Sequence, residues 1–137
     1  MKRLIKCFMV NNENFNRYSY FLWLLYEPEK LSISILETLA NGDNDLLLSS
    51  ISLAEISIKK SLHKLNVEFD LDFVLEKLDI KILGFDAKSA MKLYELPYFH
   101  KDPFDRMLIS QALVHDLLVA TVDEKFKFYE KNGFKTS

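Results

Sequence analysis

Three acidic side chains stand where a chain could use them for chemistry: Glu55, Asp105 and Asp123. Glu55 is expected in the first turn after an apolar run at 46–50, Asp105 falls in the first turn of a helix opened by Asp102 and Pro103, and Asp123 directly follows an apolar run at 117–121. If those runs are neighbouring strands of a parallel sheet, all three carboxylates face one crevice at its carboxyl edge, where α/β folds collect their sites. Like charges converging there repel and raise one another's pKa unless a cation joins them. Carboxylate oxygens select a hard ion, magnesium or manganese. Such an ion polarises a phosphoryl oxygen and lowers the pKa of bound water, which is the chemistry of phosphodiester hydrolysis.

Each acid also has a purely structural reading. Ser52 and Glu55 have the spacing of a capping box, Asp102 and Asp105 repeat it around Pro103, and Asp123 could be a simple N-cap. A good cap alone stabilises by roughly 1 kcal/mol. Thr121 suits the end of a strand by its propensity. Arg106 could contact a phosphate or partner the acids, and His100 could do either or only close the turn before the helix. Lys59, Lys60, His63 and Lys64 form a basic run that could track an RNA backbone or simply solvate a helix face.

The elements that must position these residues follow from periodicity and punctuation. In the stretch 98–112, Phe104, Met107, Leu108 and Ala112 recur on one helical face behind an Asp102 N-cap and a Pro103 at the first helical position. Further helices are expected over 20–26, 31–39, 52–62 and 69–78, from Asp86 through Glu95, and over 124–129. Strands are expected over 3–10, 46–50, 80–83 and 117–121. Strands separated by helices imply a parallel sheet covered on both faces, an α/β architecture.

Composition narrows the class. At 137 residues, 49% apolar and 28% charged, the chain reads as one soluble domain with a core of its own. A net charge of -2 provides no overall basic field, so any nucleic-acid contact has to be local. A single cysteine, Cys7, excludes an internal disulfide and suits a reducing cytoplasm. Residues 1–10 make a poor signal peptide, because Lys6 interrupts the apolar run, and the apolar stretch 20–26 is too short to span a bilayer.

The run His100, Asp102, Pro103, Phe104, Asp105, Arg106, Leu108, Ile109, Gln111 and Ala112, with Thr121 and Asp123 at a strand end, resembles the VapC-type PIN-domain ribonucleases, the toxins of toxin-antitoxin pairs. The resemblance covers about residues 20–129 of a single domain. It implies a PIN-like three-layer α/β/α sandwich with a mostly parallel sheet, and a magnesium- or manganese-dependent ribonuclease whose ion is held by Glu55, Asp105 and Asp123. Thr121, Asp102 and Arg106 would stand in support. It also implies an RNA substrate, a small VapB-like antitoxin covering the acidic crevice, and a homodimer.

The amino terminus departs from that pattern. PIN domains begin with a strand ending in Asp, within a stretch like LLDTHxFLW; here Phe21-Leu22-Trp23 matches its end, and Arg17 occupies the place of the first acid. Residues 12–20 written in A/T-rich codons and read one base later spell Met-Lys-Ile-Leu-Ile-Asp-Thr-His, so residues 1–19 are expected to be the product of a one-base frame slip. A chain without that native strand must borrow one from 3–10, whose Leu4, Ile5, Phe8, Met9 and Val10 are apolar enough, although Arg3 and Lys6 suit a buried sheet poorly. The alternative reading is an inactive PIN-like protein that binds antitoxin or RNA without cleaving it.

Overall fold

The computed structural model describes residues 4–7, 29, 33, 37, 45–99, 101–120, 129 and 135–136. Five strands, β1 (Leu4–Cys7), β2 (Asp45–Ser49), β3 (Ile80–Leu83), β4 (Leu118–Ala120) and β5 (Lys135–Thr136), form one sheet in the order β3-β2-β1-β4-β5. Every adjacent pair is parallel. The register sets Ile5 beside Leu46 and Leu118, and Leu46 beside Ile80. The strand expected within 3–10 is therefore present, and it takes the central place. The chain leaves β1 towards β2 on one side and later returns to β4 on the other, so the topological switch point lies between β1 and β4.

The described connections include four helices and a 3-10 turn: α1 (Ser50–Ser61), α2 (Leu71–Lys77), α3 (Ala87–Lys92), the turn Leu93–Glu95, and α4 (Pro103–Val114). Each helix starts on a side chain that accepts an orphan amide. Ser49 accepts from the Ile51 amide, Asp70 from Phe73, Asp86 from Ser89, and Asp102 from both Phe104 and Asp105. Three of the ends are closed without glycine. His63, Asp79 and Asp116 adopt φ of 56°, 52° and 51°, the left-handed conformation that ends a helix. Just beyond two of them the chain bonds back, Lys64 donating to the Lys59 carbonyl at 2.9 Å and Leu117 to that of Ala112 at 2.9 Å.

The principal core joins Leu96, Leu108, Ile109, Ala112, Leu117, Val119 and Tyr129, all buried, with Leu47, Leu83 and Leu113 packed against it. Burying side chains of this size stabilises by roughly 1.5–3 kcal/mol each. The apolar stripe of α4 is thus clamped between the strand that follows it and the loop that precedes it. Tyr129 closes the cluster, stacking edge-on against Phe99 at 4.9 Å and donating its hydroxyl to the Pro97 carbonyl.

Several expectations change. The runs at 46–50 and 117–121 are not neighbouring strands, because β1 lies between β2 and β4, and Glu55 falls in the second turn of α1 and not the first. The helix expected over 52–62 begins two residues earlier, so Ser49 is its N-cap and Ser52 and Glu55 do not form a capping box. The helix expected from Asp86 through Glu95 tightens into a 3-10 turn over its last three residues. Most of the helices expected over 20–26, 31–39 and 124–129 lies outside the described residues.

Candidate active site

Chain direction brings the amino ends of α1 and α4 to the carboxyl side of the sheet: α1 leaves the end of β2, and α4 runs back before the parallel strand β4. The two helices pack against each other. Glu55 projects from the second turn of α1 and is 3% exposed; Asp105 projects from the first turn of α4 and is 1% exposed. Neither position is forced by capping. Asp102 is the α4 cap, its Oδ1 accepting from the amides of Phe104 at 2.8 Å and Asp105 at 3.3 Å, so the Asp105 carboxylate is not needed for that task. The partial positive charge at the start of α4 favours an ionised carboxylate at Asp105.

Burying an ionised carboxylate costs several kcal/mol unless a cation accompanies it. For Glu55 that cation is one turn further along α1. Lys59 Nζ lies 3.2 Å from Glu55 Oε1, at the i,i+4 spacing at which helical side chains meet. The other members of the basic run face away: Lys60 pairs with exposed Glu68 at 3.6 Å, and His63 and Lys64 are exposed.

A polar tie fixes how α4 sits on the strand ends. The Ser49 hydroxyl donates to Gln111 Oε1 at 2.6 Å, while Gln111 Nε2 donates to the carbonyls of Leu83 at 3.2 Å and Gly84 at 2.9 Å. Ser49 and Gln111 are both fully buried. One amide side chain on the helix of Asp105 therefore grips the N-cap of the helix of Glu55 and the end of β3. Gln111 was visible in the sequence only as part of a motif, because its partners lie up to 62 residues away.

Arg106 takes a different place from the phosphate or acid contact the sequence suggested. It is buried, donates to the carbonyls of Pro97 at 2.8 Å, Leu96 at 3.2 Å and Leu93 at 3.3 Å, and stacks on the Tyr98 ring at 3.8 Å. Its charge organises the loop before α4. Asp123, Thr121, His100 and Arg17 lie outside the described residues.

The donor set suits a hard divalent ion. Glu55 and Asp105 offer buried carboxylate oxygens from two helices in contact, which is the chemistry magnesium and manganese take. Among the described residues no group of three or more His, Cys, Asp or Glu that could hold a metal ion gathers, and a metal held by these two carboxylates would need further ligands.

The PIN domain family matches residues 19–132 of this sequence. The chain is a PIN domain. Its fold resembles chains in three solved complexes. The structure of VapBC2 from Rickettsia felis bound to a DNA fragment from their promoter aligns with a TM-score of 0.61 and 20% identity, covering 100% of this chain and 98% of that one. DNA-bound VapBC from Salmonella typhimurium gives 0.56 and 17%, covering 100% and 98%. VapBC-1 from nontypeable Haemophilus influenzae gives 0.56 and 13%, covering 100% and 97%. No curated protein matches the sequence. The family match begins after β1, so the central strand of this PIN domain is drawn from residues that precede the matched region.

Proposed function

We propose that this PIN domain is a metal-dependent endoribonuclease of the VapC toxin type. The observation that carries the reading is the pair of buried carboxylates, Glu55 and Asp105, presented by two packed helices at the carboxyl side of a parallel sheet. With Asp123 they would hold magnesium or manganese, and Thr121 would stand beside them. When bound, the ion supplies a Lewis-acid centre that stabilises charge on a scissile phosphate and makes water a nucleophile at neutral pH. The chain's own part is to hold the carboxylates ionised and still. Asp102 fixes the start of α4, Gln111 sets that helix against the end of β2, and Lys59 balances the charge of Glu55.

Partners follow the same reading. The three structural neighbours are VapBC complexes, which supports a VapB-like antitoxin as the protein that covers this site. Met91, Tyr94 and Tyr98 are largely exposed on α3 and the segment after it, a set of apolar side chains suited to a protein contact such as the antitoxin or the second subunit of a homodimer. Among the described residues no helix is long and apolar enough to cross a membrane, and the proposed setting is the cytoplasm.

Arg17, in the position of the family's first acid, favours a second reading: a PIN domain that binds antitoxin or RNA without turnover. Manganese calorimetry and cleavage of a mixed structured-RNA pool separate the two, with Glu55→Gln and Asp105→Asn as controls. The nuclease reading expects manganese binding and cleavage that both substitutions abolish. Manganese binding without cleavage would favour the binding protein, and the absence of both would remove the metal site.

A further inference from the structure

Lys59 differs from the rest of its basic run. Its side chain is 18% exposed, and its Nζ is buried outright, 3.2 Å from an oxygen of buried Glu55. An ammonium carries three donors. Among the described residues, this one fills none of them with a hydrogen bond of good geometry, its contact with Glu55 being an ion pair alone. A helical i,i+4 pair on a solvated face satisfies its spare donors with water, and that explanation is closed to a nitrogen with no exposed surface. A buried cation with open donors is suited to a partner that arrives with the ligand.

The chemistry of that partner is narrowly defined. It carries negative charge, accepts several N–H bonds and sits beside one of the carboxylates assigned to the reaction. A phosphodiester has the charge and two non-bridging oxygens. We infer that Lys59 is a phosphate-contacting residue of the site, held on Glu55 in the free protein and turned to a backbone phosphate when RNA binds. The inference rests on the nuclease reading and adds to it the group that binds the substrate's charge. Lysine serves such contacts as a mobile point charge on a flexible stem.

The test is metal-free binding of a short fluorescein-labelled single-stranded RNA, followed by fluorescence anisotropy over a range of salt. The chains compared are the unaltered protein, Glu55→Gln, Lys59→Met, Lys59→Arg and the double variant Glu55→Gln/Lys59→Met. The double variant removes both charges of the pair, so neither is left buried without its partner, and it is expected to fold even where Lys59→Met alone does not. A phosphate contact predicts that Lys59→Met weakens binding on the order of tenfold at low salt in the Glu55→Gln background. It also lowers the slope of log affinity against log salt by about 0.7. Lys59→Arg keeps the slope. If the double variant binds as tightly as Glu55→Gln with the same slope, Lys59 is only the counterion of Glu55 and the inference is wrong while the nuclease reading stands. If neither the unaltered chain nor Glu55→Gln binds RNA without metal, the inference is wrong, and manganese-dependent cleavage, measured separately, decides the nuclease reading.

Discussion

Arg106 and Asp102 lie close to Asp105 in the sequence, and both prove to hold the scaffold. The Arg106 guanidinium is committed to three carbonyls and the Tyr98 ring. Arg106→Met therefore orphans buried acceptors and is expected to cost about 2–4 kcal/mol in urea denaturation. Manganese affinity of the folded variant should stay within about twofold; a large loss of affinity at unchanged stability would instead return Arg106 to the site. Asp86 provides a second residue-level prediction. The Ser89 hydroxyl, the Ser89 amide at 2.9 Å, and His115 at 2.7 Å hold its carboxyl down to about 2 from an ordinary 3.8. The Ser89 amide and His115 are the contacts seen at hydrogen-bond geometry. A depressed folded pKa adds stability that is present above the unfolded value and lost as pH falls through the folded one. Melting temperature should therefore fall between about pH 4 and pH 2, and less steeply in Asp86→Asn, when the two are followed by circular dichroism. Equal slopes would show that the cap is not coupled to protonation.

Among the elements, α1 shows what a sequence can and cannot say about a helix. The spacing of Ser52 to Glu55 suggested a capping box, whereas the cap observed is Ser49. The choice is made by contacts across the fold: Ser49 ends β2, donates to Gln111 and accepts from Ile51, which fixes the strand end and the helix start together. Glu55 then falls in the second turn, beyond the reach of a cap. Helix α4 was easier to read, since its cap, proline and apolar stripe are all local, and its observed start agrees. The tie between the two helices was not legible, because nothing within a few residues of Gln111 reveals its partners. Gln111→Leu leaves the buried Ser49 hydroxyl without its acceptor and the half-buried carbonyls of Leu83 and Gly84 without their donor. It should cost about 2–4 kcal/mol and also weaken manganese binding, since it loosens one acid-bearing helix from the other. Gln111→Asn, too short to span the gap, should do the same. A loss of stability with manganese binding intact would confine Gln111 to the core.

At the scale of the whole molecule, the parallel sheet was legible from apolar runs alternating with helical patterns. The arrival of Glu55 and Asp105 at its carboxyl side followed from their places near the starts of helices. The fifth strand, Lys135–Thr136, was not legible, being two residues with no apolar signature. The central strand is the point at which sequence and fold press hardest on each other. Strand β1 pairs with both β2 and β4, and its neighbours Leu46, Leu48 and Val119 are buried, so an apolar strand belongs there. The chain fills it with Leu-Ile-Lys-Cys from outside the family match, whereas the shifted frame of 12–20 spells Ile-Leu-Ile followed by an Asp at the strand end. Replacing residues 1–19 by Met-Lys-Ile-Leu-Ile-Asp-Thr-His should therefore act twice. An apolar strand between two buried neighbours should raise stability by about 1–3 kcal/mol, or several degrees in melting temperature. A carboxylate at the end of the central strand, where the family pattern has its first acid, should tighten manganese binding at least tenfold, because it adds an oxygen ligand. Calorimetry and thermal melts of the two chains measure both effects. If the replaced chain melts lower and binds manganese no better, Leu4–Cys7 is the strand this fold was built on, and Arg17 belongs to a PIN domain that works without the first acid.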